Sequence, residues 1–189
     1  MADRSYNSFN QTQMIVHTDG SCYWKDRRMG IGIALFQDEE SHFPFREESI
    51  TIPGEGSSNE AEYHAVIQAL MIIIKDYDYA HFHTIKINTD SQLIYNQIVG
   101  DWHCPSKNLQ PLLNEVWRLI KEIKKPLILF NWCPRENEHQ KIVDKLSKKS
   151  NPYFNEGVKT RASYGFRRDS KLYRNRSRNA SPYRGSRNG

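Results

Sequence analysis

The chain has 189 residues, enough for one domain of roughly 100–200 residues with a real core. Residues 151–189 hold eight Arg and two Lys against Glu156 and Asp169, a net +8; the whole chain is +5, so residues 1–150 come to −3. Three cysteines without a CxxC spacing argue against a disulfide framework or a zinc ribbon, and no apolar run reaches the roughly 18 residues of a membrane span, so a cytosolic chain is expected.

In chain order, residues 1–12 are polar and read as a flexible lead-in. Met14-Ile15-Val16-His17-Thr18-Asp19 is a β-branched run that delivers a carboxylate at its end, and Gly20-Ser21-Cys22 after it reads as the turn. Tyr23 to Arg28 is a further turn. Met29 to Phe36 alternates glycine with larger apolar residues, as a strand does when a neighbour approaches its glycine face closely. Phe43 to Ile52 is a third strand, with Pro44 placing it at an edge or at its start. Three strands with short links make an antiparallel meander.

Pro53-Gly54-Glu55-Gly56 breaks that pattern, and Ser57 with Glu60 has the spacing of a capping box. The helix that follows, through Ile73, is apolar over so much of its surface that it should lie buried against the sheet. Thr84–Thr89 is a fourth strand, and it too ends on Asp-Ser, at Asp90 and Ser91. Gln92–Val99 is a short helix. A second helical stripe is formed by Leu109, Leu112, Leu113, Val116, Trp117, Ile120 and Ile123. Leu127–Trp132 is a fifth strand, and a last helix around Lys141–Lys149 carries Asp144. The order βββ-α-β-α-α-β-α predicts a mixed α/β sheet with helices on its faces over residues 13–150. Residues 151–189 are Arg, Ser, Asn, Tyr and Gly with few aliphatics. They cannot bury enough surface to offset ordering entropy, so this tail is expected to be disordered.

That order, with carboxylates at Asp19, Glu62, Asp90 and Asp144, resembles a type I ribonuclease H, in the compact form without a basic protrusion. The resemblance covers about residues 13–149 and is carried by Asp19-Gly20-Ser21, Asn59-Glu60-Ala61-Glu62-Tyr63, Thr89-Asp90-Ser91-Gln92 and Asp144-Lys145-Leu146. It implies a five-stranded mixed sheet, three strands antiparallel and then parallel additions, with helices on both faces. It also implies an endonuclease that hydrolyses the RNA strand of RNA·DNA hybrids and leaves 5′-phosphate and 3′-hydroxyl ends. Two Mg²⁺ or Mn²⁺ ions would clamp the in-line displacement, and a cluster of Asp and Glu is the oxygen donor set that such ions take. By resemblance, Asp19 would bridge both ions, Glu62 and Asp90 would hold one side and Asp144 the other. The resemblance also assigns substrate contacts to the Gly20 and Ser21 backbone, Ser58, Asn59 and Gln92, which would read the minor groove of the hybrid.

Glu60 and Glu62 compete for the helical ligand position. Two residues apart on a helix, they point in nearly opposite directions; the capping box gives Glu60 a structural role, and the resemblance places the ligand at Glu62. The last helix departs from the family, which usually has Asn four residues before the final Asp, where this chain has Gln140. A family histidine before that helix is missing between Trp132 and Glu136; His139 and Arg135 are candidates for assisting leaving-group departure or product release, against a plainer reading as solvated loop residues. Asp144 is a ligand by resemblance and otherwise a surface helix charge. His17, His81, His83 and His103 have no ligand spacing, Cys22 is a bystander thiol, and Trp24, Trp102, Trp117 and Trp132 read as core or rim packing.

Tyr164, Phe166, Tyr173 and Tyr183 among the tail arginines suit sequence-blind, salt-sensitive nucleic-acid binding as well as a solubilising role. The expected state is a monomer without membrane contact. A catalytically weak nucleic-acid-binding module of the same fold is the competing reading. An exonuclease of the broader fold is disfavoured, because Asp19 is followed by Gly20-Ser21 and not by the Asp-x-Glu of such enzymes.

Overall fold

The computed structural model describes residues 13–149. The lead-in over 1–12 and the basic tail over 151–189 lie outside the described residues.

Three strands form the antiparallel part of the sheet, the apolar β1 (Gln13–Tyr23) and β2 (Arg28–Phe36) and the more polar β3 (Arg46–Pro53). β3 starts three residues later than the sequence pattern suggests. Pro44 donates no hydrogen bond and Phe43 is exposed, so pairing with β2 begins at Arg46. After helix α1 (Ser58–Asp76), β4 (Thr84–Thr89) lies parallel to β1, and after α2 (Gln92–Val99) and α3 (Gln110–Glu122), β5 (Leu127–Trp132) lies parallel to β4. Helix α4 (Glu138–Lys149) closes the described chain, starting three residues earlier than expected because Asn137 caps it. The strand order is β3-β2-β1-β4-β5. The mixed five-stranded sheet expected from the sequence is therefore the one formed.

Alternation along the strands sends their side chains to two cores. Met14 and Val16 of β1, Ile31, Ile33 and Leu35 of β2, and Ile85 and Ile87 of β4 pack under α1 and α3. Ile15, Ala34 and Phe36 face the other way and meet Val143 and Leu146 of α4. Each such aliphatic side chain contributes roughly 1.5–3 kcal/mol when fully buried. The narrow α4 core explains the glycine alternation in β2. A Cβ at Gly32 would lie 2.1 Å from the Val143 carbonyl oxygen, so α4 sits directly on the strand backbone there.

The four tryptophans are more exposed than core packing would leave them, Trp24 most of all. Trp117 and Trp132 nonetheless use their indole N–H, donating to the Ile98 and Asp90 carbonyls.

Candidate active site

Asp19 does not end its strand. β1 continues to Tyr23 in register with β2, where Asp19 faces Gly32 and Gly20 faces Ile31. What ends beside Asp19 is the parallel partner, since pairing with β4 stops at Thr18 and Thr89. Asp19 thus stands at the point where β1 outruns β4, and Asp90 follows the last residue of β4. Gly20 is a site of close approach and makes no turn. A Cβ there would lie 2.2 Å from the Ala61 carbonyl carbon, so only glycine lets the first turns of α1 rest on β1.

That contact positions Glu62. The capping box at the start of α1 is fully formed: the Glu60 N–H donates to Ser57 Oγ at 3.2 Å and the Ser57 N–H donates to Glu60 Oε2 at 2.8 Å. Glu60 is thereby committed to the helix end, and Glu62 is turned inward and buried. Carboxylate oxygens of Asp19, Glu62 and Asp90 lie within 4.8 Å of one another.

The electrostatics of this trio are unfavourable by themselves. Burial, then the charges of Asp90 and Asp144, push Asp19 up to about 6, although a hydrogen bond from Ser147 pulls the other way. Burial, then the charges of Asp19 and Asp90, hold Glu62 well above the ordinary carboxylate range, opposed by a backbone hydrogen bond from Gly20 and by Arg135. Glu62 Oε2 and Asp90 Oδ1 are buried without a hydrogen-bond partner among the described residues. Three crowded, partly orphaned carboxylates are costly unless cations share them.

Asp144 lies outside the trio. It is half-exposed on α4 with Lys148 Nζ 2.6 Å from its carboxylate, yet close enough for its charge to act on Asp19. α4 is held over the site by polar contacts from end to end. At its start Gln140, 1 % exposed, donates from Nε2 to the Thr18 carbonyl at 2.9 Å, and its Oε1 accepts from His17 Nδ1 at 3.2 Å and from the Cys133 thiol at 3.4 Å. The residue that departs from the family pattern is thus the tie between α4 and the backbone just before Asp19. At the other end Ser49, Ser21 and Tyr23 donate to the Leu146, Ser147 and Lys148 carbonyls, groups that a helix C-terminus leaves unpaired.

Of the residues assigned to substrate, Ser58 and Asn59 open α1 and Gln92 opens α2, so both helix N-termini stand beside the carboxylates. Gly20 is covered by α1, and the Ser21 hydroxyl is spent on α4. Arg135 is at the site, donating from Nε to Asp90 Oδ2 at 2.7 Å. His139 is engaged elsewhere: it stacks on Phe36 with centroids 4.1 Å apart, and its Nε2 is 2.8 Å from the Ser41 carbonyl. Sequence reasoning missed Ser147 and Lys148, although their spacing of three and four from Asp144 on one helix would have placed both beside it.

This sheet order, with acidic residues converging from β1, α1 and β4, defines a nuclease of the ribonuclease H class. Residues 11–151 match the family model described as RNase H, and the chain belongs to the ribonuclease H family. Among solved structures it is similar to ribonuclease H1 from the halophilic archaeon Halobacterium salinarum, at 23 % identity and TM-score 0.62, covering 73 % of this chain and 96 % of that one. It is likewise similar to the N-terminal ribonuclease H domain of a Mycobacterium tuberculosis protein, at 22 % identity and TM-score 0.61, covering 74 % and 93 %. A third is LC11-RNase H1, isolated from compost and solved in complex with an RNA/DNA hybrid, at 27 % identity and TM-score 0.58, covering 72 % and 98 %. A sequence search of curated proteins finds no match.

Proposed function

We propose that this enzyme hydrolyses the RNA strand of RNA·DNA hybrids with divalent metal ions held by Asp19, Glu62, Asp90 and Asp144. The observation that carries the reading is the convergence of three buried carboxylates, two of them with an oxygen that has no partner among the described residues. The donor set fits a hard cation: it is all oxygen and crowded, and burial together with neighbouring charge raises the pKa of Asp19 and Glu62. Two ions, Mg²⁺ or Mn²⁺, would supply an activated water and stabilise the leaving 3′ oxygen. The Asp19 carboxylate lies within 4.8 Å of those of Glu62 and Asp90 and also feels the charge of Asp144, which suits it to the shared position.

The remaining residues bind and orient. Ser58 and Asn59 stand at the first turn of α1, which carries Glu62, and Gln92 at the first turn of α2, which follows Asp90. Helix N-termini favour anionic groups, and polar side chains there suit the 2′-hydroxyls and base edges of a minor groove. Hybrid specificity is further supported by the hybrid-bound LC11-RNase H1. The basic tail adds charge for sequence-blind contact with nucleic acid.

One observation favours the alternative of a weakly catalytic binding module: Asp144 is paired with Lys148 and stands apart from the trio. Cleavage of a labelled hybrid in Mg²⁺, Mn²⁺ or EDTA, beside matched duplex DNA and RNA, decides between them. Metal-dependent cutting of the RNA strand, abolished in Asp19→Asn, is the expected result. Hybrid binding without cutting in either metal would establish the module instead.

A further inference from the structure

We infer that Arg135 is the resident counter-cation of the carboxylate cluster and that divalent metal binds in competition with its pairing to Asp90. The inference rests on the metal-dependent reading above.

Asp90 has two oxygens with different fates. Oδ2 accepts from Arg135 Nε at 2.7 Å, while Oδ1 is buried and has no partner among the described residues. The Asp90 side chain is 5 % exposed, so its geometry is fixed by the fold, whereas the Arg135 side chain is 82 % exposed. The two ends of this ion pair therefore differ in mobility. Arg135 follows Pro134 in the link between β5 and α4, and it reaches over the site from outside. Arg46 offers the contrast: its guanidinium is shared between Glu48 and Asp76 and is mostly buried, as in an ion pair that serves the fold.

Asp90 above all, with Asp19 and Glu62, holds the Arg135 guanidinium charged, and Arg135 in turn opposes the upward shift of Glu62. It thus offsets part of the repulsion that a metal would offset. A guanidinium on Oδ2 and a divalent ion on the same carboxylate, even at Oδ1, repel each other at contact range. Metal binding therefore works against the Arg135–Asp90 pair, and the affinity measured is lowered by the population in which that pair is closed. The side chain loses little packing when it swings away, because so much of it is already in water.

The test is a Mn²⁺ titration by isothermal calorimetry at fixed salt on the full chain, in wild type, Arg135→Gln, Arg135→Lys and Lys141→Gln. Lys141 pairs with Glu138 and controls for loss of one positive charge. An ion pair of ordinary exposed strength predicts that Arg135→Gln binds Mn²⁺ about fivefold tighter. Arg135→Lys should fall between it and wild type, and Lys141→Gln should match wild type. Melting curves give a second readout: in EDTA Arg135→Gln should melt below wild type, and saturating Mn²⁺ should raise its melting point by more. Unchanged or weaker Mn²⁺ binding in Arg135→Gln would overturn the inference while leaving the proposed function intact. Equal tightening in Lys141→Gln would also overturn it, by reducing the effect to net charge. Absence of Mn²⁺ binding in wild type would remove the proposed metal site and the inference with it.

Discussion

Replacing Asp19 with Asn should make the metal-free protein more stable while destroying its activity. Asp19 is pushed up from 3.8 to about 6, mainly by burial. Between those values the native state binds more protons than the unfolded chain, so the residue's contribution to stability falls as pH rises through that window. Above about pH 6 the penalty is fully present. A shift of that size corresponds to at most about 3 kcal/mol, and relaxation of the site around an ionised group lowers the realised figure to about 1–3 kcal/mol. Asparagine keeps the shape and an acceptor for Ser147 without the charge. The assay is thermal and urea denaturation in EDTA at several pH values. At pH 7.5 Asp19→Asn should melt on the order of 5 °C above wild type, and the two curves should converge as pH approaches 4. Saturating Mg²⁺ should stabilise wild type and leave the variant nearly unmoved. An Asp19→Asn protein that is equally or less stable than wild type in EDTA at neutral pH, with native circular dichroism, would refute the reasoning.

The two glutamates of α1 should separate cleanly. Glu62→Gln should lower hybrid cleavage at least ~100-fold with no loss of stability, whereas Glu60→Ala should keep cleavage within about twofold and cost about 1 kcal/mol in urea melts through the lost capping box. Gly32→Ala places a methyl 2.1 Å from the Val143 carbonyl oxygen, backbone against backbone, and should cost about 3 kcal/mol or more, with loss of activity as α4 lifts from β2. Thermal melts and cleavage at low temperature measure the two effects. Deleting residues 155–189 should leave kcat unchanged, raise KM at low salt and flatten the dependence of KM on salt; an unchanged salt slope would remove the tail from substrate binding.

The order of elements was legible in the sequence because local patterns carry it, and the family resemblance singled out four carboxylates, of which the fold brings Asp19, Glu62 and Asp90 together. β-branched runs ending in Asp, the Ser57/Glu60 capping spacing and the aliphatic stripes each follow from neighbouring residues along one element. The choice of Glu62 over Glu60 rested on helix geometry, the cap and the family resemblance, and the completed capping box gives Glu60 the structural role expected of it. The glycine alternation of β2 announced a close neighbour but could not name it. That neighbour is α4, more than a hundred residues later, and only packing brings Val143 over Gly32. Gly20 read as a turn because Asp-Gly-Ser usually is one; register with β2 carries β1 on to Tyr23, and the helix pressing on it makes the glycine necessary. Gln140, the departure from the family pattern, gains its role from the Thr18 carbonyl and His17 on β1 and from Cys133 just after β5, groups that no spacing in the sequence links to it. Arg135 looked like a loop charge, and the link between β5 and α4 sets it on Asp90. Local chemistry chose the elements. Burial and the distances between elements, which arise only when the layers close, decided which carboxylates share charge and which cations answer them.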